Sequence, residues 1–313
     1  MVVKGARSKI MRFILLGIIG AFATTLISAP AVFSQGASVI KIDGSSTVFP
    51  ITEAVAEEFQ AENRDIKVTV GVSGTGGGFE KFCNGEIDIS DASRPIKPEE
   101  ADKCKAAGID YVELKIGIDA LTVVVNPRNT WTNNLTLAEL KKMWEPEAQG
   151  KITNWNQVRS GFPDAPLKLF GPGTDSGTFD YFTEKVVGKS KASRSDYTAS
   201  EDDNVLVQGI SRDPNALGYF GYAYYAANQQ RLKAVPLDSG NGAVAPNRED
   251  VENHTYPLSR PLFIYVSKKS AQRPEVARFV EFYLNNPDLV SEVGYVPLPA
   301  TDYEVVRTTF QRR

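Results

Sequence analysis

The chain has 313 residues, 42% of them hydrophobic, enough for one large core and more comfortably for two. No basic tract is interleaved with aromatic residues, so nucleic acid is not an expected partner. The single histidine, His254, leaves almost no material for a histidine-based metal site or triad, and no metal or cofactor is expected.

The chain opens on Lys4, Arg7, Lys9 and Arg12, then an apolar run over residues 13–23, then Ala29 and Ala31. This order is that of a secretory signal peptide over residues 1–31, and it predicts a periplasmic product. The apolar run is short of the ~20 residues of a spanning helix. Cleavage near Ala31 takes the formal charge from −3 to −7 by removing four basic residues. Two cysteines, Cys83 and Cys104, lie beyond the leader in a chain bound for an oxidising compartment, which predicts a disulfide; two buried thiols are the alternative.

VIKI then reads as a strand, GSSTVFP as a turn, and the residues from Pro50 as a helix with Ile51, Val55 and Phe59 on one face. IKVTVGV reads as a second strand, followed by a glycine-rich turn and a short helix. EIDIS is a strand leading through SDASRP to a helix containing Cys104. YVELKIGIDALTVVVNP reads as two strand-like pieces separated at residues 117–119. TLAELKKMW carries a capping box, Thr136 with Glu139. LKLFGPGTDSGTFDYFTEKVVG repeats strand, turn and helix, with Phe179, Phe182 and Val186 as a buried stripe. A strand and a tyrosine-rich helix follow from Ala216, then the strand PLFIYVSKK, then a helix with Val276, Phe279, Val280 and Tyr283 on one side. The repeated strand–turn–helix unit argues for the α/β class with a largely parallel sheet. Two lobes joined by crossings near residues 119–126 and 256–265 fit better than a single large domain.

Three turns between strand and helix carry the same chemistry. The first offers Ser46 and Thr47 with the free backbone N–H groups of the following helix, Val48 among them. The second offers Ser73 and Thr75, with Gly76 and Gly77 permitting close backbone approach. The third offers Asp175, Ser176, Gly177 and Thr178. Each alone is a helix cap. Together they point to an oxyanion, with Ser93 and Arg94 supplying a further donor and the cation. No phosphate loop ending in GK[ST] occurs, which disfavours a nucleotide.

The ordered motifs DGSSTVFPITEAVAEEF, GVSGTGGGFEKF, DISDASRPI, GPGTDSGTFDYF and ALGYFGYAYY resemble the periplasmic phosphate-binding proteins of the high-affinity phosphate ABC transporter, in their cyanobacterial form. The resemblance spans nearly the whole chain beyond the leader. It implies a two-lobed type II periplasmic binding fold with ligand in the interlobe cleft. Residues 38–119 and 259–313 would form the first lobe and residues 120–258 the second. It also implies that the chain is not an enzyme, and that its partners are inorganic phosphate and an ABC permease, with the chain itself a monomer. In the enteric form an aspartate stands where this chain has Arg94, and an arginine where it has Pro172. That leaves Asp175 and Asp91 as candidate acceptors for the ligand's proton. A phosphate sensor or a general tetrahedral-oxyanion binder is the alternative. An exported phosphatase is disfavoured, because it would need an activated nucleophile with metals or a general acid.

Overall fold

The computed structural model describes residues 38–174 and 176–313; the expected leader over residues 1–31, and Asp175, lie outside the described residues. The chain forms β1 (Ser38–Gly44), α1 (Phe49–Glu62), β2 (Ile66–Val72), α2 (Gly74–Cys83), β3 (Ile89–Ala92), α3 (Pro98–Ala106) and the 15-residue β4 (Tyr111–Val125). It continues through β5 (Leu135–Thr136), α4 (Leu137–Trp144), β6 (Lys168–Gly171), α5 (Gly177–Phe182), β7 (Thr198–Ala199), α6 (Asp203–Arg212) and β8 (Ala216–Gly221). Then come α7 (Tyr222–Ala227), β9 (Lys233–Ala234), β10 (Leu237–Asp238), β11 (Ala243–Val244) and α8 (Arg248–Glu252). β12 (Ser259–Ser267), α9 (Pro274–Asn285), α10 (Asp288–Glu292) and α11 (Ala300–Gln311) complete it.

The main strands run in the order β2-β1-β3-β12-β4-β8-β6-β7, with β9 on β4. β1 is parallel to β2 and β3, and β6 to β7 and β8; β12 is antiparallel to both β3 and β4, and β4 to β8. The sheet is therefore mixed rather than largely parallel. The physical reason is that the chain, returning from the far half, re-enters the near half as β12 between two strands already laid down. β4 is also one strand, not two pieces. Gly117 does not break it: a Cβ there would lie 3.0 Å from Val290 Cγ1, so the glycine lets α10 pack directly on the strand. What changes along β4 is its partner. Residues up to Ala120 pair with β12, and from Leu121 onward with β8. At this crossing the Leu121 N–H donates to the Leu258 carbonyl (2.9 Å).

Two apolar clusters flank the crossing. One joins Ile40, Val55, Phe59, Ile264 and Phe279 of β1, α1, β12 and α9, and the other joins Leu121, Trp144, Phe182 and Tyr219 of β4, α4, α5 and β8. Burying each such side chain stabilises the fold by roughly 1.5–3 kcal/mol. The stripes read from sequence on α5 and α9 are buried as their spacing requires. The glycine run after β2 is helix α2 itself rather than a turn preceding it. A Cβ at Gly78 would lie 2.6 Å from Gly44 Cα and 2.8 Å from Ser90 Oγ, so only glycine lets this helix seat on β1 and β3. The C-terminal segment is helical, and Tyr303 of α11 donates its hydroxyl to the Ile116 carbonyl of β4 (2.7 Å).

Cys83 at the end of α2 and Cys104 in α3 form a disulfide. It ties together α2, whose first turn carries Thr75, and α3, whose leading loop carries Arg94. Breaking it with Cys83→Ser/Cys104→Ser is expected to lower unfolding free energy by about 3 kcal/mol for a loop of this length, read as a fall in the urea midpoint. An unchanged midpoint would contradict a stabilising bond.

Asp91 of β3 is 1% exposed, and neither of its carboxylate oxygens has a hydrogen-bond partner among the described residues. Burial pushes its carboxyl up to about 8, with the Asp43 charge acting in the same direction and Thr52 opposing. The folded chain therefore binds a proton that the unfolded chain releases near its ordinary value of 3.8. Stability contributed by this group falls as pH rises through the window between those values. Asp91→Asn should match the wild type near pH 4 and exceed it near pH 8 by about 1–3 kcal/mol, the cost of an unsatisfied buried group. Parallel pH dependence in both proteins would refute this.

Candidate functional site

A cavity of about 600 Å³ opens beside the crossing, lined by the β1–α1 turn, the first turn of α2, the loop after β3, the exposed side of α5 and the start of β12. In the first turn, the buried Ser45 Oγ accepts from the Thr47 N–H (3.2 Å) and more loosely from the Val48 N–H (3.4 Å), holding the turn tight from inside. Ser46 and Thr47 line the cavity and Val48 does not; its side chain belongs to the core.

In the second turn, Thr75 and Gly76 line the cavity, while Ser73 and Gly77 do not. Ser73 Oγ donates to Asp43 (2.5 Å), which also takes Lys81 Nζ (2.6 Å). A Cβ on Gly77 would lie 2.9 Å from the Ser73 side chain, so this glycine serves the turn's own packing. Thr75 Oγ1 accepts from the Ser93 N–H (3.2 Å) and lies 3.2 Å from Ser93 Oγ, which links the second turn to the loop after β3.

Arg94 lines the cavity, but its guanidinium is held in a two-pronged pair by Glu100 of α3 (2.8 Å for each prong) and its charge is matched there. Asp91 lies in the core and outside the cavity lining. In the third turn, Ser176 Oγ caps α5 through the Thr178 N–H (3.2 Å). Ser176, Gly177 and Thr178 line an adjoining cavity of about 460 Å³, and Ser46 lines both. A Cβ on Gly177 would lie 3.0 Å from Thr47 Cα and Oγ1, so the turns of the two halves approach each other closely enough that a side chain there would press on Thr47.

The cation the sequence reading missed is Arg260, at the start of β12. Its Nε and Nη2 both lie 3.1 Å from Asp119 Oδ2. Nη2 also donates to Thr47 Oγ1 (3.0 Å), and the guanidinium stacks 3.8 Å above the Tyr181 ring. Nη1 has no partner among the described residues. Asp119 is buried, which raises its carboxyl, while Arg260 acts to lower it. A cue was present: Ser93-Arg94-Pro95 recurs as Ser259-Arg260-Pro261, each arginine beside the cavity and directly before a proline. Asp180 and Tyr181 of α5 complete the wall. Among the described residues no His, Cys, Asp and Glu group is arranged to hold a metal. Hydroxyls and one largely enclosed guanidinium, 14% exposed, suit the binding of a small oxyanion.

Residues 29–287 match the model of the PBP superfamily domain. The chain is 54% identical to protein SphX of Synechococcus elongatus, over 94% of this chain and 87% of that protein. It is 39% identical to the phosphate-binding protein PstS of Staphylococcus saprophyticus, over 86% of this chain and 83% of that protein. A crystal structure described as a possible phosphate binding protein from Planctomyces limnophilus is 51% identical, covers 88% of this chain and 98% of its own, and superposes with a TM-score of 0.85. The chain belongs to the periplasmic binding protein (PBP) superfamily, in the family of SphX and PstS.

Proposed function

We propose that this chain binds inorganic phosphate in the periplasm and delivers it to an ABC permease as a non-catalytic solute-binding protein. The observation that carries the reading is the convergence of Thr47, Thr75, Ser93 and Arg260, from separate elements, on one cavity at the crossing. The PstS relative is named a phosphate-binding protein, which supports the same ligand. In this reading residues 1–31 are an export signal, residues 38–119 with 259–313 form one lobe, residues 120–258 the other, and the protein acts as a monomer. Ser46, Thr47 and Gly76 present donors from one lobe, and Ser176, Gly177 and Thr178 from the other, while Val48 stays outside the cavity lining. Ser73 and Gly77 shape the second turn.

Arg260 is the principal cation. Asp119 and Tyr181 fix its plane, so Nη1 is offered without further loss of side-chain freedom. Arg94, already satisfied by Glu100, contributes mainly field.

Calorimetric titration tests the reading. The wild type is expected to bind phosphate well and sulfate poorly. Arg260→Lys keeps a charge opposite Asp119 but loses the planar fork, and should weaken phosphate binding by about 1.5–3 kcal/mol, tenfold or more. Arg94→Ala should cost less. Absence of phosphate binding in the wild type would defeat the assignment, and an Arg260→Lys affinity within twofold of wild type would remove Arg260 from the site.

A further inference from the structure

We propose that a second cavity, of about 560 Å³ and walled by His254 and Lys185, is a ligand site of its own that takes a small organic carboxylate. The inference goes beyond phosphate binding and does not depend on it.

The volume is that of an ordinary small-molecule site. Leu137, Val244, Tyr256 and Pro257 give it an apolar wall, and Lys185, Ser239, Asn241 and His254 a polar one. None of these four polar side chains has a hydrogen-bond or ion-pair partner among the described residues. Thr255, also in the wall, is by contrast engaged: its hydroxyl lies 2.7 Å from both Asp250 Oδ1 and Asn253 Oδ1. Among the described residues the lining carries no carboxylate. An inorganic ion would leave the apolar wall uncovered, and a neutral apolar molecule would leave the lysine and the amide unused. A carboxylate on an apolar body answers both walls.

The backbone of His254 points the same way. Its φ is 60°, in the left-handed region that favours glycine. It follows α8 and the cap residue Asn253, where a helix commonly turns away on a glycine. Glycine fills most positive-φ positions of the described chain, Gly240 and Gly242 nearby among them; Lys191 and His254 are the exceptions. A side chain kept at a cost to the backbone is one that the site uses. Nδ1 of the ring is closed off from solvent and has no partner among the described residues. A bare acceptor is cheaper to bury than an unpaired N–H, so the proton belongs on Nε2, which is the donor left for a ligand. Burial, with Lys115 adding to it, holds the imidazole below its ordinary value. The ring is therefore a neutral donor at neutral pH, and Lys185 supplies the charge.

Lys185 and Ser259 line this cavity and the phosphate cavity alike. Anions in the two cavities would share one lysine and repel each other, so each weakens the other by the same factor.

Benzoate is the probe, a carboxylate on a flat apolar body, and benzamide is its neutral isostere. His254 is the only histidine, so the untagged protein gives a single imidazole Cε1–H signal by NMR. Benzoate is expected to shift that signal saturably and benzamide to leave it in place. By calorimetry, benzoate affinity should fall at least about fivefold in Lys185→Ala and in His254→Gly. His254→Gly should not lower the thermal midpoint, since glycine adopts this φ freely. Saturating phosphate should weaken benzoate severalfold without abolishing its binding; unchanged affinity would overturn the coupling. The absence of a saturable shift, or equal binding of benzamide, would overturn the site. So would full competition by phosphate, or benzoate binding that survives His254→Gly and is lost in Arg260→Lys, because either places the probe in the phosphate cavity.

Discussion

Arg260 reaches three separate parts of the chain from one side chain: Asp119 on β4, Thr47 in the turn before α1, and the Tyr181 ring on α5. The Asp119–Arg260 pair sits beside Ala120 and Leu121, where β4 exchanges one strand partner for another. Two charges so nearly enclosed pay heavily in lost hydration, and an apolar pair of similar volume would be about as stable. Their value lies in geometry. Removing the arginine would leave Asp119 charged and alone, so the pair obliges the elements around the crossing to keep one arrangement with the guanidinium turned toward the cavity.

Several other groups of the cavity wall are already engaged. Arg94 is bound to Glu100, Ser45 holds its own turn, and Thr75 ties to Ser93. Donors fixed before a ligand arrives lose little freedom on binding, which favours affinity without added contact area. The disulfide between α2 and α3 supports this from below, since Glu100 and Thr75 stand on the helices it joins.

Elements with a strong local signature were legible in the sequence. The periodic apolar positions of α1, α5 and α9, the Thr136–Glu139 capping box and the paired cysteines are local or chemically distinctive. The mixed sheet was not, because the placement of β12 between β3 and β4 depends on the path of the whole chain. Gly117 read as a break because its reason for being glycine is Val290, distant in sequence. The candidate site was legible as a set of turns but not in its charge. Arg94 and Arg260 stand in the same Ser-Arg-Pro setting, and only the fold shows that one is tied to Glu100 while the other keeps Nη1 unpartnered among the described residues.

The position of β12 bears on the order in which the molecule can assemble. β3 and β4 are not neighbours; each pairs with β12 along its edge. The Ile96 N–H donates to the Tyr265 hydroxyl at 2.9 Å across 169 residues of sequence. Until that distant strand is made, an emerging chain carries two unpaired strand edges and a half-built core, and long-range pairing of this kind is slow. The same open edges invite pairing with other chains, so the interval between synthesis and the arrival of β12 is when the protein is most in need of a chaperone.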